Sequence, residues 1–270
     1  GGNQTGDHDE VHLNGANIYG DVFGGGAGVA PKTADGIPFE NVARVNGSTM
    51  VEVSNQAKIY GRVFGGGDMA NVGPKTYTAD YTNKPIGETE IDPKTGELNP
   101  EATYGADQYR TLVNIIGGDI FGSVYGGGKG LPKSQATFYE KVGRINGNTI
   151  VHIANTSATS TNSIALDYYG NTVPYVWGNI YGGCAYGTVD GNTLVHIEGG
   201  MLGKNIFGGG FGDIVINKDE DENQKVLGQL DTDNKATYAN ILGNTKVQMD
   251  GGTWIWNQNA DTDGNITTWL

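Results

Sequence analysis

The stretch that decides the fold runs from Val176 to Gly210 and holds one five-residue phrase twice: Ile180-Tyr181-Gly182-Gly183-Cys184, then Ile206-Phe207-Gly208-Gly209-Gly210. Their first glycines lie 26 residues apart, with no insertion between the copies. Upstream the phrase recurs as Val22-Phe23-Gly24-Gly25-Gly26, Val63-Phe64-Gly65-Gly66-Gly67 and Val124-Tyr125-Gly126-Gly127-Gly128, where the intervals widen to 41, 61 and 56 residues. Four residues before each Val or Ile stands another aliphatic, Ile18, Ile59, Ile120, Val176 or Leu202, usually with a glycine two positions later. A fixed phrase with variable spacers is the pattern of a repeat protein carrying insertions.

A second phrase recurs beside the first: Gly47-Ser48-Thr49, Gly147-Asn148-Thr149, Gly191-Asn192-Thr193 and Gly243-Asn244-Thr245. Each opens an alternating run, Val51-Glu52-Val53, Val151-His152-Ile153, Val195-His196-Ile197 and Val247-Gln248-Met249, matched by Val11-His12-Leu13 and Val113-Asn114-Ile115. Apolar and polar residues in alternation mark strands with one buried face. Glycine at this density costs a helix about 1 kcal/mol per residue, so helix is excluded apart from one turn at most in Phe138–Val142.

A 26-residue unit of two or three short strands has the size of one coil of a parallel β-helix. The sequence therefore predicts an all-β solenoid with long loop insertions at one corner, its coils stacked at the inter-strand spacing of roughly 4.8 Å. Ile18, Ile59 and Ile120 would then form one internal ladder, and Val22, Val63 and Val124 another. The rival is a kelch-like β-propeller, whose blades also end in paired glycines, although a 26-residue unit is short for a four-stranded blade. We read residues 1–270 as a single solenoid domain with coils near 11–28, 42–67, 109–128, 142–184, 187–210 and 241–256. The opening Gly1-Gly2 resembles the tail of a glycine corner, which predicts an excerpt of a longer repeat protein.

Aligned on these corners and Gly-Asn-Thr steps, residues 11 to 256 resemble the glycine-rich β-solenoid repeats of large bacterial cell-surface and adhesin-like proteins. The resemblance implies secretion and surface display, and no particular ligand or catalytic residue.

Composition narrows the partners. Thirty acidic against seventeen basic residues give a net charge of −13, which repels nucleic acid and anionic lipid alike. No apolar run is long enough for a membrane helix, and a single cysteine, Cys184, can form no internal disulfide. A noncatalytic extracellular module binding glycan or protein is the expectation; a carbohydrate-active β-helix enzyme is the alternative. The outward strand positions show no paired carboxylates of the kind such enzymes use.

Binding is expected in the insertions. Residues 29–46, 68–108, 129–146 and 211–240 leave from the glycine corner, and 154–175 from the opposite end of a strand. Tyr77, Tyr81, Tyr104 and Tyr109, with Tyr168 and Tyr169, offer rings that stack on a sugar or a protein surface, or that pack the loops onto the coils. Asp219, Asp221 and Asn223, and likewise Asp261, Asp263 and Asn265, resemble the start of a calcium loop without completing it. His12, His152 and His196 share one outward position, and two imidazoles on adjacent coils can share a metal. Glu52, Asn114 and Gln248 fill that position elsewhere, as in a generic polar ladder.

Overall fold

The computed structural model describes residues 8–29, 42–74, 110–131, 142–157, 171–212, 216–218, 224–226 and 239–254. These residues are all-β and wind as a parallel β-solenoid. Six strands form one long parallel sheet: His8–Asn14, Ser48–Ser54, Thr111–Ile115, Thr149–Ile153, Thr193–Ile197 and Thr245–Met249. They define coils 1 to 6. Two-residue strands add a second parallel sheet of six, from Asn17–Ile18 to Thr253–Trp254, and a third of five, from Val22–Phe23 to Ile206–Phe207. Parallel pairing of equivalent strands from successive coils sets aside the propeller, whose blades are separate four-stranded sheets. No helix among the described residues is long and apolar enough to cross a membrane.

The core follows from the register. Val51, Val113, Val151 and Val195 are partners in the long sheet, as are Val53, Ile115, Ile153 and Ile197. The predicted ladders Ile18-Ile59-Ile120 and Val22-Val63-Val124 pair directly, continue through Val176-Leu202 and Ile180-Ile206, and join the others in one core. Beyond the corners a fourth line, Val45, Val72, Ile145, Val189 and Ile241, is linked by parallel bridges and closes each coil.

In coils 2 to 5 the threonine near the start of the long strand meets the glycine corner. Thr49 and Thr111 donate their hydroxyls to the carbonyls of Gly65 and Gly126 at 2.6 Å, and Thr149 and Thr193 donate to Gly182 and Gly208. The first glycine of each corner is needed for close approach, since none of these residues has a positive φ. A Cβ at Gly24, Gly65, Gly126 or Gly182 would strike the carbonyl oxygen of its counterpart in the next coil. Positive φ is used elsewhere, where the long strand turns into the second sheet at Gly15, Asn55, Gly118, Gly200 and Gly252. Cys184, at a third-glycine position, is fully buried, and burial pushes its thiol up to about 12, so it stays protonated.

The inserted residues fall at more than one place in the coil sequence. In coils 1, 3 and 5 they lie in sequence between the glycine corner and the fourth line, following Val29, Leu131 and Gly212. In coil 2 the chain does not leave at the corner, because Asp68 and Val72 are still bridged to both neighbouring coils. Residues 75–109 follow the fourth line in sequence. In coil 4 the chain departs after the long strand, through an antiparallel pair of Thr156–Ser157 with Asn171–Thr172.

Candidate functional site

The long sheet turns one face into the core and the other outward, and the outward face brings the imidazoles of His152 and His196 together with the Glu198 carboxylate. At the centre of each strand the register aligns His12, Glu52, Asn114, His152, His196 and Gln248. Stacking at about 4.8 Å brings each side chain within hydrogen-bond reach of the next. Glu198 and Asp250 stand two residues past His196 and Gln248, hence on the same face.

A chain of hydrogen bonds runs along this line. His12 bonds Glu10 Oε2 through Nε2 at 2.9 Å and Glu52 Oε1 through Nδ1 at 3.4 Å. Asn114 donates Nδ2–H to Glu52 Oε2 at 3.2 Å, and its Oδ1 lies 2.9 Å from His152 Nδ1. His152 Nε2 faces Glu198 Oε2 at 2.6 Å. His196 Nε2 meets Asp250 Oδ2 at 2.8 Å, and Gln248 donates to the same oxygen at 2.7 Å. His196 Nε2 also lies 3.9 Å from Glu198 Oε1.

The pKa values of two histidines in this chain are shifted in opposite directions. The hydrogen bonds of His12 to Glu10 and then Glu52 raise its pKa above the usual imidazole value. At His152 burial lowers the pKa, and the facing Glu198 only partly offsets it. Hydrogen bonds from Gln248 and His196 hold the Asp250 carboxyl below the usual carboxylate range. The Asn114 amide is oriented by its bond to Glu52, so its Oδ1 accepts the Nδ1 proton of His152. With Asn114 Oδ1 accepting from Nδ1, the 2.6 Å contact of His152 Nε2 with Glu198 Oε2 is bridged by a shared proton.

A second outward feature lies on the turn after the second sheet. Tyr19, Tyr60 and Phe121 stack face to face at 4.9 Å between successive rings, and Trp177 follows at the equivalent position in coil 4. These four rings are exposed by 42 to 81% and make an apolar strip along the solenoid. Tyr60 is stacked on both faces, by Tyr19 and Phe121, whereas Trp177 stacks on Tyr175 at 5.9 Å. The sequence signal for this strip is the aromatic that follows Ile18, Ile59, Ile120 and Val176, and reading the aliphatics alone passes over it.

Of the residues singled out from sequence, the structure brings His152 and His196 together, with ring centroids 5.6 Å apart, and places His12 at the far end of the chain. Tyr77, Tyr81, Tyr104, Tyr109, Tyr168 and Tyr169 lie outside the described residues. So do Asp219, Asp221, Asn223, Asp261, Asp263 and Asn265, proposed for calcium. Glu198 and Asp250 were not picked out; their signal is the His-Ile-Glu and Gln-Met-Asp spacing, which repeats two residues past the ladder position.

Fold and site together define a parallel β-solenoid with a hydrogen-bonded imidazole-carboxylate ladder on its long outer face. No family model matches the chain, and neither a curated protein nor a solved structure shows significant similarity to it.

Proposed function

We propose that this chain is a noncatalytic structural and adhesive module of a bacterial cell-surface protein, its coils acting as a stalk and its corner loops binding glycan or protein. The observation that carries this reading is the placement of the insertions. Three of the five, at residues 30–41, 132–141 and 213–238, lie in sequence between the glycine corner and the fourth line, on a scaffold whose backbone ladder continues through six coils. Loops on a rigid wall, repeated at the coil spacing, form an extended contact surface. The strip of Tyr19, Tyr60, Phe121 and Trp177 adds exposed aromatic surface of the kind enriched where proteins meet partners. Resemblance of the corners to glycine-rich surface repeats favours extracellular display.

A glycan array probed with the purified chain tests the reading, with an acidic polysaccharide incubated in parallel and sized by chromatography. Retention of a glycan class with polymer length unchanged is expected, as is loss of that retention when residues 75–109 are replaced by a short Gly-Ser linker. Shortening of the polymer would overturn the proposal in favour of a carbohydrate-active enzyme.

A further inference from the structure

His152, His196 and Glu198 hold ligand atoms that all lie within 4.8 Å of one another on the outer face of coils 4 and 5. The backbone sets this closeness. His152 and His196 are register partners on adjacent parallel strands, and Glu198 lies two residues beyond His196 on the same face. Zinc bound at about 2.0–2.1 Å to nitrogen and oxygen holds its ligand atoms roughly 3.3 Å apart in a tetrahedron. Side-chain rotations are therefore enough to close the three atoms around an ion.

The orientation of His152 is an independent sign. Metal-bound imidazole almost always donates its other N–H to an oxygen that fixes the tautomer. Here Nδ1 donates to Asn114 Oδ1 at 2.9 Å, and Asn114 is itself anchored to Glu52. The 2.6 Å contact of Nε2 with Glu198 Oε2 is held by a proton in the metal-free chain, and a divalent ion can take that proton's place. A proton satisfies this pair alone. A metal ion at the same place also engages His196, whose Nε2 lies 3.9 Å from the other oxygen of Glu198.

We propose that His152 Nε2, His196 Nε2 and a Glu198 carboxylate oxygen bind one divalent transition-metal ion of the zinc class. Imidazole nitrogens select against calcium and magnesium, which prefer all-oxygen surroundings. Asp250 Oδ2, 2.8 Å from His196 Nε2, stands where it can supply a fourth ligand from coil 6. Binding moves the His196 Nε2 proton to Nδ1 or to solvent. His152 forms the buried floor, while half-exposed Glu198 and Asp250 form the rim by which an ion enters. The ion clips adjacent coils of the stack together from outside, across a sheet otherwise held by backbone ladders.

Calorimetric titration of the whole chain, stripped by a chelator and then given zinc chloride or calcium chloride, tests the proposal. One zinc ion per chain is expected, with no saturable calcium heat from this site. His196→Gln and Glu198→Gln should each weaken zinc binding by about tenfold or more, and Asn114→Ala, which acts only through His152, by about tenfold. Gln248 occupies the position of His196 in the next coil, so a glutamine there is compatible with the fold. His12→Gln should leave zinc binding unchanged. Absence of saturable zinc binding, or binding undiminished in His196→Gln and Glu198→Gln, would overturn the assignment.

Discussion

In coil 5 Val195 and Ile197 are fully buried, whereas their register partners in coil 6, Val247 and Met249, are 43% and 44% exposed. The outward ladder repeats the contrast. His12, in coil 1, is exposed and its pKa is raised by neighbouring carboxylates; His152, at the same ladder position in coil 4, is buried and its pKa is lowered. The motif is the same in both regions, and what differs is whether a described coil lies on each side. A solenoid coil cannot bury its own apolar face and depends on its neighbours for it. Position in the stack thus decides what a residue contributes, including the sign of a histidine's effect.

Glycine substitution should expose the largest difference between centre and end. A Cβ at Gly66 comes 2.8 Å from the Gly128 backbone nitrogen in the next coil, an atom with no rotamer to escape to, whereas at Gly209, the same corner position in coil 5, nothing lies within 4 Å. Gly66→Ala should lower the unfolding free energy by about 1–3 kcal/mol and Gly209→Ala by no more than about 0.5 kcal/mol, as read from urea denaturation. Equal costs would break the contrast. A smaller gap is expected at the threonine ladder. Thr149→Val removes a buried hydroxyl donor from Gly182 O and should cost about 1–2 kcal/mol. Thr245→Val, in exposed coil 6, should stay within about 0.5 kcal/mol.

The histidines should give the smallest and most informative difference. The folded-state pKa of His152 lies below the ordinary 6.5, so on acidification the unfolded chain takes up the proton first. Its contribution to stability is complete above 6.5 and declines below that pH. For His12 the sign reverses: the contribution is complete below 6.5 and is lost as pH rises through the raised folded value. His152→Asn, which places the coil 3 residue in coil 4, should flatten the acid side of a melting-temperature profile. His12→Asn should barely alter it, because solvent screens an exposed pair. An unchanged acid limb in His152→Asn would remove the distinction between the two positions.

Much of the scaffold was legible in sequence because an in-register solenoid converts repetition into contact. Aligning Ile18 with Ile59 and Ile120 is the same operation as stacking them, and the observed pairing follows that alignment. The corner glycines told where the chain bends, and Cys184 showed that the third position requires no positive φ. What was less legible lay in spacing between phrases. The coil 2 insertion was expected at the corner, yet Asp68 and Val72 remain bridged to neighbouring coils, because Val72 continues the apolar line of Val45, Ile145, Val189 and Ile241. The His152, His196 and Glu198 cluster was visible only in part. Its imidazoles share a ladder position, but Glu198 belongs to the next outward position, and side chains 46 residues apart meet only once the register is known.

The pin from Thr49, Thr111, Thr149 and Thr193 to the corner glycines has a consequence for how such a chain changes length. Each pin is made within one coil, while each glycine gap is filled by the coil beside it. Deleting part of a coil therefore breaks two layers, whereas deleting everything from one threonine to the next removes a closed unit and lets the flanking layers meet. Length is gained and lost in steps of one coil, roughly 4.8 Å of reach at a time. Duplication in a gene of this kind works like adding rungs, with the reach of the molecule counted in whole numbers.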